Sequence, residues 1–414
     1  MKKRKFPLLL QIVIAIAAGA LCGIFFPDWL SKIFATFNGL FGNFLGFIIP
    51  FIIVGLVAPG IAEMGNKAGR LLLLTTLLAY LFTIMSGLFS YGVCQAALPA
   101  LLGNIDTANL SSAGETLPPY FSVEIPPVIG VMSALVLSFV LGIGMSSIKG
   151  NTLRNAMNEF RDIISLVIAK AIVPLLPLYI FGIFLSISRS GQFAPIFGVF
   201  LKVIALIFAI SVAVLLIQFI IAGGIARRNP LTMLRNMLAA YATALGTQSS
   251  AATIPVTLEQ TIKNGVRPQV ADFVVPLCAT IHLSGSTLKI VGCAIAIMMM
   301  NGTDYGFGMI FGFICMLGIT MIAAPGVPGG AIMAALPVLQ NMLGFSPEAL
   351  GLMTALYIAM DSFGTATNVT GDGAVALIVD TIDKQKKEKY RERKKRNKLI
   401  ERRNFAALSI CFAQ

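Results

Sequence analysis

Long apolar runs alternate with short polar breaks over the first half of the chain. Runs of membrane-spanning length fall at residues 6–26, 40–62, 71–98, 128–148, 163–187 and 196–222. A transmembrane helix needs about 20 apolar residues, so each run is expected to cross a bilayer. The first follows Met1-Lys-Lys-Arg-Lys5 and resembles a signal peptide. Its apolar run is too long for one and no clear cleavage site follows, so it is read as the first transmembrane helix. The second contains Pro50, which a membrane helix tolerates when neighbours satisfy the freed carbonyl.

The pattern changes at Leu231. Residues 231–266 are too polar at their centre to span, with Gly246-Thr-Gln-Ser-Ser-Ala-Ala-Thr-Ile-Pro255 at a small-residue tip. Two short half-helices around such a tip predict a re-entrant hairpin. Irregular backbone at membrane depth is allowed only where it lines a cavity. An apolar segment, 274–300, follows and is interrupted by His282-Leu-Ser-Gly-Ser-Thr287. A second short-half pair covers 305–343, with Ala324-Pro-Gly-Val-Pro-Gly-Gly330 at its tip. Paired interrupted segments point to a transport site near the midplane.

The last apolar segment carries Asp361-Ser-Phe-Gly-Thr-Ala-Thr-Asn-Val-Thr-Gly-Asp372. Asp361, Thr365, Asn368 and Asp372 fall at offsets of 4, 7 and 11, which at helical periodicity is one face. A charge facing lipid costs at least ~2.5–3.5 kcal/mol, so this stripe is expected to line a polar cavity. A helix end among headgroups would also tolerate it, but apolar sequence continues as Ala374-Val-Ala-Leu-Ile-Val379.

Composition supports the class. The chain has 414 residues, 57% hydrophobic and 12% charged, with a mean hydropathy of +0.86. A soluble domain would be about 25% charged. This is an all-α polytopic membrane protein. One His excludes a multi-histidine metal site, and the six cysteines show no CxxC and suit packing. Basic breaks alternate with acidic or neutral ones, and the break at 103–127 holds Asp106, Glu115 and Glu124 with no Lys or Arg. The positive-inside rule then puts both termini in the cytoplasm. The basic tail, residues 384–403 within 381–414, reads as a solvated helix beside anionic lipid and not as a nucleic-acid site.

Three ordered motifs, Gln248-Ser249-Ser250 with Ala-Ala-Thr-Ile-Pro255, Gly326-Val-Pro-Gly329 and Asn368-Val-Thr-Gly-Asp372, resemble the dicarboxylate/amino acid:cation symporters, the glutamate transporter family. The similarity is densest over 241–379; the N-terminal half matches in helix layout alone. It implies eight transmembrane helices, two re-entrant hairpins and a homotrimer. It also implies a scaffold of helices 1, 2, 4 and 5 within residues 1–230. Helices 3 and 6 join the core at 231–380 to form a transport domain that moves like an elevator.

The resemblance also implies roles. Ser249 and Ser250 would hold the substrate α-carboxylate, and a half-helix end with hydroxyls suits one. Asp361 would hold the α-ammonium, with Thr365 and Asn368 beside it. Val327 and Gly329 belong to the second hairpin, read as the outer gate. Asp372 matches a sodium-ligating aspartate. The implied cation-binding set is Thr280, His282, Ser284, Asn368 and Asp372.

The departures bear on substrate and ion. Acidic-substrate members carry an Arg where this chain has Gly364, and others one where it has Gln248. Without a guanidinium for a second carboxylate, the expected substrate is a small neutral amino acid, as for the family's serine/threonine members. Lys289 keeps an acidic or C4-dicarboxylate substrate open, and is either a coupling candidate or a snorkelling lysine. A sodium-holding Asp of the family is Ser284 here and its neighbouring Asn is His282. His282 is read either as a structural imidazole or as a proton carrier. The coupling ion is therefore sodium or a proton, fewer sodium ions are expected than for acidic-substrate members, and no other cofactor is expected. A pure channel is disfavoured by the specific site, and no motif suits an intramembrane enzyme.

Overall fold

A computed structural model describes residues 8–66, 70–102, 118–189, 191, 193–322, 324 and 329–411. Val327 and its tip neighbours 325–328 lie outside the described residues, as do the basic N-terminus 1–7 and most of the acidic break, 103–117.

The described residues are helical nearly throughout. In the first half these are α1 (Leu8–Phe25), α2 (Asp28–Asn66), α3 (Arg70–Leu102), α4 (Val131–Ser147), α5 (Thr152–Val167), α6 (Val173–Arg189) and α7 (Phe193–Ala226). A π-helical turn, Ile168–Ile172, joins α5 to α6 without a break. The second half holds α8 (Pro230–Thr247), α9 (Ser250–Lys263), α10 (Pro268–Ile281), α11 (Ser284–Met300), α12 (Phe307–Ile322), α13 (Gly330–Leu343), α14 (Pro347–Ala359) and α15 (Asp361–Cys411).

Several starts are written in the local sequence. Pro opens α8, α10 and α14 at the first helical position, where its missing N–H costs nothing. Asn229 caps α8 by accepting from the N–H groups of Leu231 and Thr232, and Ser346 caps α14 through Ala349 N–H. Other bounds differ from the hydropathy reading. α2 starts at Asp28, not near residue 40, because Asp28 pairs with Arg189 and Ser31 and Thr36 are buried. Tertiary partners carry the helix through a stretch whose polar residues break the hydropathy run.

Packing falls into two groups. α1 lies along α6, and α2 lies along α4 and α5. α15 packs on α7, α8 and α10, while α11 packs on α3. Ser86 and Ser90 of α3 donate to the carbonyls of Ser284 (2.9 Å) and Leu288 (2.7 Å). Among the described residues five helices are long and apolar enough to cross a membrane, or six if α14 and α15 form one span. α1 and α4 are shorter apolar helices.

Two breaks position the site. α10 and α11 are separated by non-helical His282 and Leu283. α14 and α15 meet at Met360 with a 62° bend. Asp361 therefore begins a helix, a placement that the reading of one continuous final helix did not anticipate. Below the core, Arg267 pairs with Asp380 (2.6 Å) and Asp383 (2.7 Å), and Lys384 with Asp380 (2.7 Å). The hydrogen bond that Arg267 donates to the Asp380 carboxylate holds the guanidinium above its ordinary pKa.

Candidate functional site

The stripe expected on the last helix is buried: Asp361 is 6% exposed and Asp372 1%, with Thr365 and Asn368 between them. It faces the broken ends of α10 and α11. Each carboxylate meets a basic side chain from that broken pair.

At the upper station Lys289 of α11, fully buried, places Nζ 3.5 Å from Asp361 Oδ1. It donates to the Met360 carbonyl at 3.2 Å, which also accepts the Gly364 N–H at 3.2 Å. The ring of Tyr357, the last full turn of α14, lies 3.9 Å beneath it. A carboxylate, a carbonyl and a ring face form a cage for an ammonium; the ring contributes about 2 kcal/mol where water is excluded. Gly364 makes the room: a Cβ there would collide with Nζ and Cε of Lys289. So the position where the resemblance led to the expectation of a cationic side chain in acidic-substrate members is filled by a cation arriving from α11. Sequence spacing could not reveal this substitution in space, because Lys289 and Gly364 are 75 residues apart.

The other oxygen of Asp361 accepts the N–H of Gly329 at 2.9 Å. Gly329 has φ +74°, a left-handed conformation that L side chains resist. It caps α13 and aims its N–H inward. Beyond Lys289 lies a cavity of about 370 Å³ lined by Leu201, Ile204, Ala205, Ile207, Phe208, Ser211, Met360 and Phe363. Its walls are apolar apart from Ser211 and Lys289. Lys289 thus packs against Asp361 on one side and borders this cavity on the other.

At the lower station His282 Nδ1 lies 2.8 Å from Asp372 Oδ1, and both side chains are buried. His282 takes its place because α10 ends there, its N–H still bonded to Cys278 O. Gln218 of α7 donates through Nε2 to Ser284 Oγ at 3.1 Å. Among the described residues His282 Nε2 and Gln218 Oε1 have no hydrogen-bond partner. Both crowd the same point, since a Cβ on Gly371 would collide with Gln218 Oε1 and with the His282 ring.

The remaining expected site residues are distributed as follows. Asn368 Oδ1 accepts from the N–H groups of Gly285 (2.7 Å) and Ser286 (3.3 Å), and its Nδ2 donates to Ser286 Oγ at 3.2 Å. It caps α11 from another helix, which leaves one amide hydrogen for other work. Ser286 Oγ also accepts from Tyr357 Oη at 2.9 Å. Ser284 is buried beside Gln218. Thr280 is apart from this cluster; it is exposed and its hydroxyl donates to Leu277 O. Ser249 caps α9 by accepting from Ala252 N–H, and Ser250 is buried in its first turn. Between α8 and α9, Gln248 sits at φ +53°, which costs a non-glycine residue roughly 1–2 kcal/mol and turns the chain tightly enough to present the α9 N-terminus. Sequence reasoning missed Tyr357, Ser286 and Gln218. Tyr357 stands one turn before Asp361, a polar aromatic in an apolar helix, and offered the one legible signal.

A bundle of apolar helices with two helical hairpins and a doubly broken core lined by buried acid–base pairs is the architecture of a multi-pass membrane transporter. The sequence pattern of the sodium:dicarboxylate symporter family matches residues 8–382, and the chain belongs to that family. Its members are symporters, not enzymes. The chain is 24% identical over 400 residues to a serine/threonine transporter of Acinetobacter baumannii (strain AYE), covering 92% of this chain and 98% of that one. It is 29% identical over 293 residues to an excitatory amino acid transporter of Caenorhabditis elegans, covering 68% of this chain and 57% of that one. Excitatory amino acid transporter 2 of Mus musculus is 30% identical over 268 residues, covering 60% and 46%.

Proposed function

We propose that the protein is a secondary active symporter for a small neutral amino acid of the serine, threonine or alanine kind, coupled to a cation. The observation that carries this is the Lys289–Asp361 pair, 3.5 Å apart and buried. Its net charge is zero. A zwitterion brings an ammonium for Asp361 and a carboxylate for the α9 N-terminus at Ser249 and Ser250, and leaves the sum unchanged. An acidic amino acid would add one uncompensated negative charge and a dicarboxylate two, which buried sites bear only at high cost.

Asp372 is the remaining stripe carboxylate able to attract a mobile cation. The imidazole of His282 already touches it and Ser284 supplies no charge, so coupling needs fewer sodium ions than in relatives with more carboxylates. Sodium at Asp372 and a proton on His282 are the two candidate ions. The packing of α1, α2, α4, α5 and α6 chiefly on one another, with smaller contacts to α7 and α12–α14, is compatible with a scaffold and a moving transport core, an elevator, in a cytoplasmic-membrane homotrimer with both termini inside and the basic tail beside anionic lipid. One observation favours a second substrate: Lys289 fills the space at Gly364, where a cation would meet an acidic side chain.

Uptake into proteoliposomes with a panel of labelled amino acids and dicarboxylates, sodium and pH gradients imposed separately, tests all of this. Preference for serine, threonine or alanine is expected. Preference for aspartate or a dicarboxylate would move the assignment to the second substrate, and three co-transported sodium ions per substrate would overturn the ion count.

A further inference from the structure

We propose that Lys289 is a tethered cation that takes the place of the substrate ammonium on Asp361 when no substrate is bound, so that the transport core crosses the membrane without carrying an ion back. This rests on the transporter assignment above and deepens it at the same site.

Among the described residues Asp361 is the carboxylate within reach of Lys289 Nζ, at 3.5 Å, while the Met360 carbonyl and the Tyr357 ring hold the ammonium at that spot. The same carboxylate anchors Gly329 at the start of α13 through its second oxygen, at 2.9 Å. Without a cation at Asp361 a bare carboxylate would have to be carried through the low-dielectric region, which is too costly to leave uncompensated. With Lys289 present the station is neutral and α13 stays anchored.

The arrangement is also reversible. Gly364 leaves the lysine stem unobstructed beside Asp361, and the cavity bordered by Ile207, Phe208 and Phe363 gives it somewhere to yield. An incoming ammonium displaces Lys289 from Asp361, and the lysine keeps the Met360 carbonyl and the ring. On release the lysine returns. The substrate ammonium and Lys289 are thus alternative ligands of one carboxylate, exchanging positions once per cycle.

The test separates substrate exchange, which never requires the substrate-free core to cross, from net flux, which does. Wild type, Lys289→Met and Lys289→Arg are reconstituted, and counterflow against internal unlabelled substrate is compared with net efflux into substrate-free buffer. For Lys289→Met both rates fall, because Lys289 belongs to the site, but net flux is expected to fall at least tenfold further than exchange, with methylammonium on the trans side restoring the ratio of net flux to exchange. Equal loss of both, or net flux unchanged, overturns the proposal. Lys289→Arg keeps the charge and guards against a Met variant that does not fold; its net flux is expected to stay in proportion to exchange, and selective loss of net flux would overturn the idea. The ratio is read with whichever substrate the panel shows to be exchanged, so a wrong substrate assignment appears in the panel and a wrong role for Lys289 appears in the ratio.

Discussion

Asp361 and Asp372 stand on the same helix, and each is met by a base from the broken α10–α11 pair. The two pairs are nevertheless built for different work. Lys289 holds Asp361 at 3.5 Å with a carbonyl and a ring as further partners, and has a cavity of about 370 Å³ at its side. His282 holds Asp372 at 2.8 Å, with Phe82 nearby, and is enclosed. A long flexible stem beside free volume can leave its carboxylate and return. A ring locked at a helix end cannot move far, so its station changes by gaining or losing a small ion. In the proposed cycle the upper station exchanges organic cations and the lower one couples to the small ion.

The comparison breaks most severely at Asp361. Asp361→Asn removes the group both ammonium ligands compete for, and uptake is expected to fall at least ~100-fold, about 2.7 kcal/mol of binding, while oligomer size by gel filtration stays unchanged. Normal uptake would take Asp361 out of the site. Next comes His282→Ala, which leaves Asp372 buried and unpaired at a cost of about 3–5 kcal/mol. A large fall in the thermal midpoint in detergent is expected. His282→Asn keeps a donor, costs about 1 kcal/mol, and should make uptake depend more on sodium; unchanged sodium dependence would remove His282 from coupling.

Gly364→Ala tests the room beside Lys289. Overpacking typically costs ~1–3 kcal/mol, so neutral amino acid uptake is expected to drop about tenfold, and Gly364→Arg should weaken it further while admitting aspartate or glutamate. Wild-type uptake from the Ala variant would show that Lys289 need not sit there. The smallest effect is expected at Arg267→Ala. Asp380 keeps Lys384 at 2.7 Å and Arg267 is partly exposed, so the loss should be about 1 kcal/mol or less, seen as a slight fall in thermal midpoint with uptake kinetics unchanged.

The helical membrane class, two short-half hairpin segments, and the stripe of Asp361, Thr365, Asn368 and Asp372 are legible along the chain. All follow from local regularities: apolar run length, the helical repeat, and glycine and proline at tips. The depth of Lys289 in an apolar segment, and the resemblance at His282, also flagged these two as polar groups in need of partners. Their partners come into view in the folded chain alone. Lys289 and Gly364 come from different helices, so a cation lost at one position and supplied from another is invisible along the chain. The same holds for Asn368, whose amide is taken up in capping α11, and for Gln218, which reaches Ser284 from α7. The 62° bend at Met360 has no proline or glycine at that point to announce it. Long-range partners fix buried polar groups because each must be satisfied somewhere in the fold, and sequence periodicity records which face a residue is on, not which residue waits opposite.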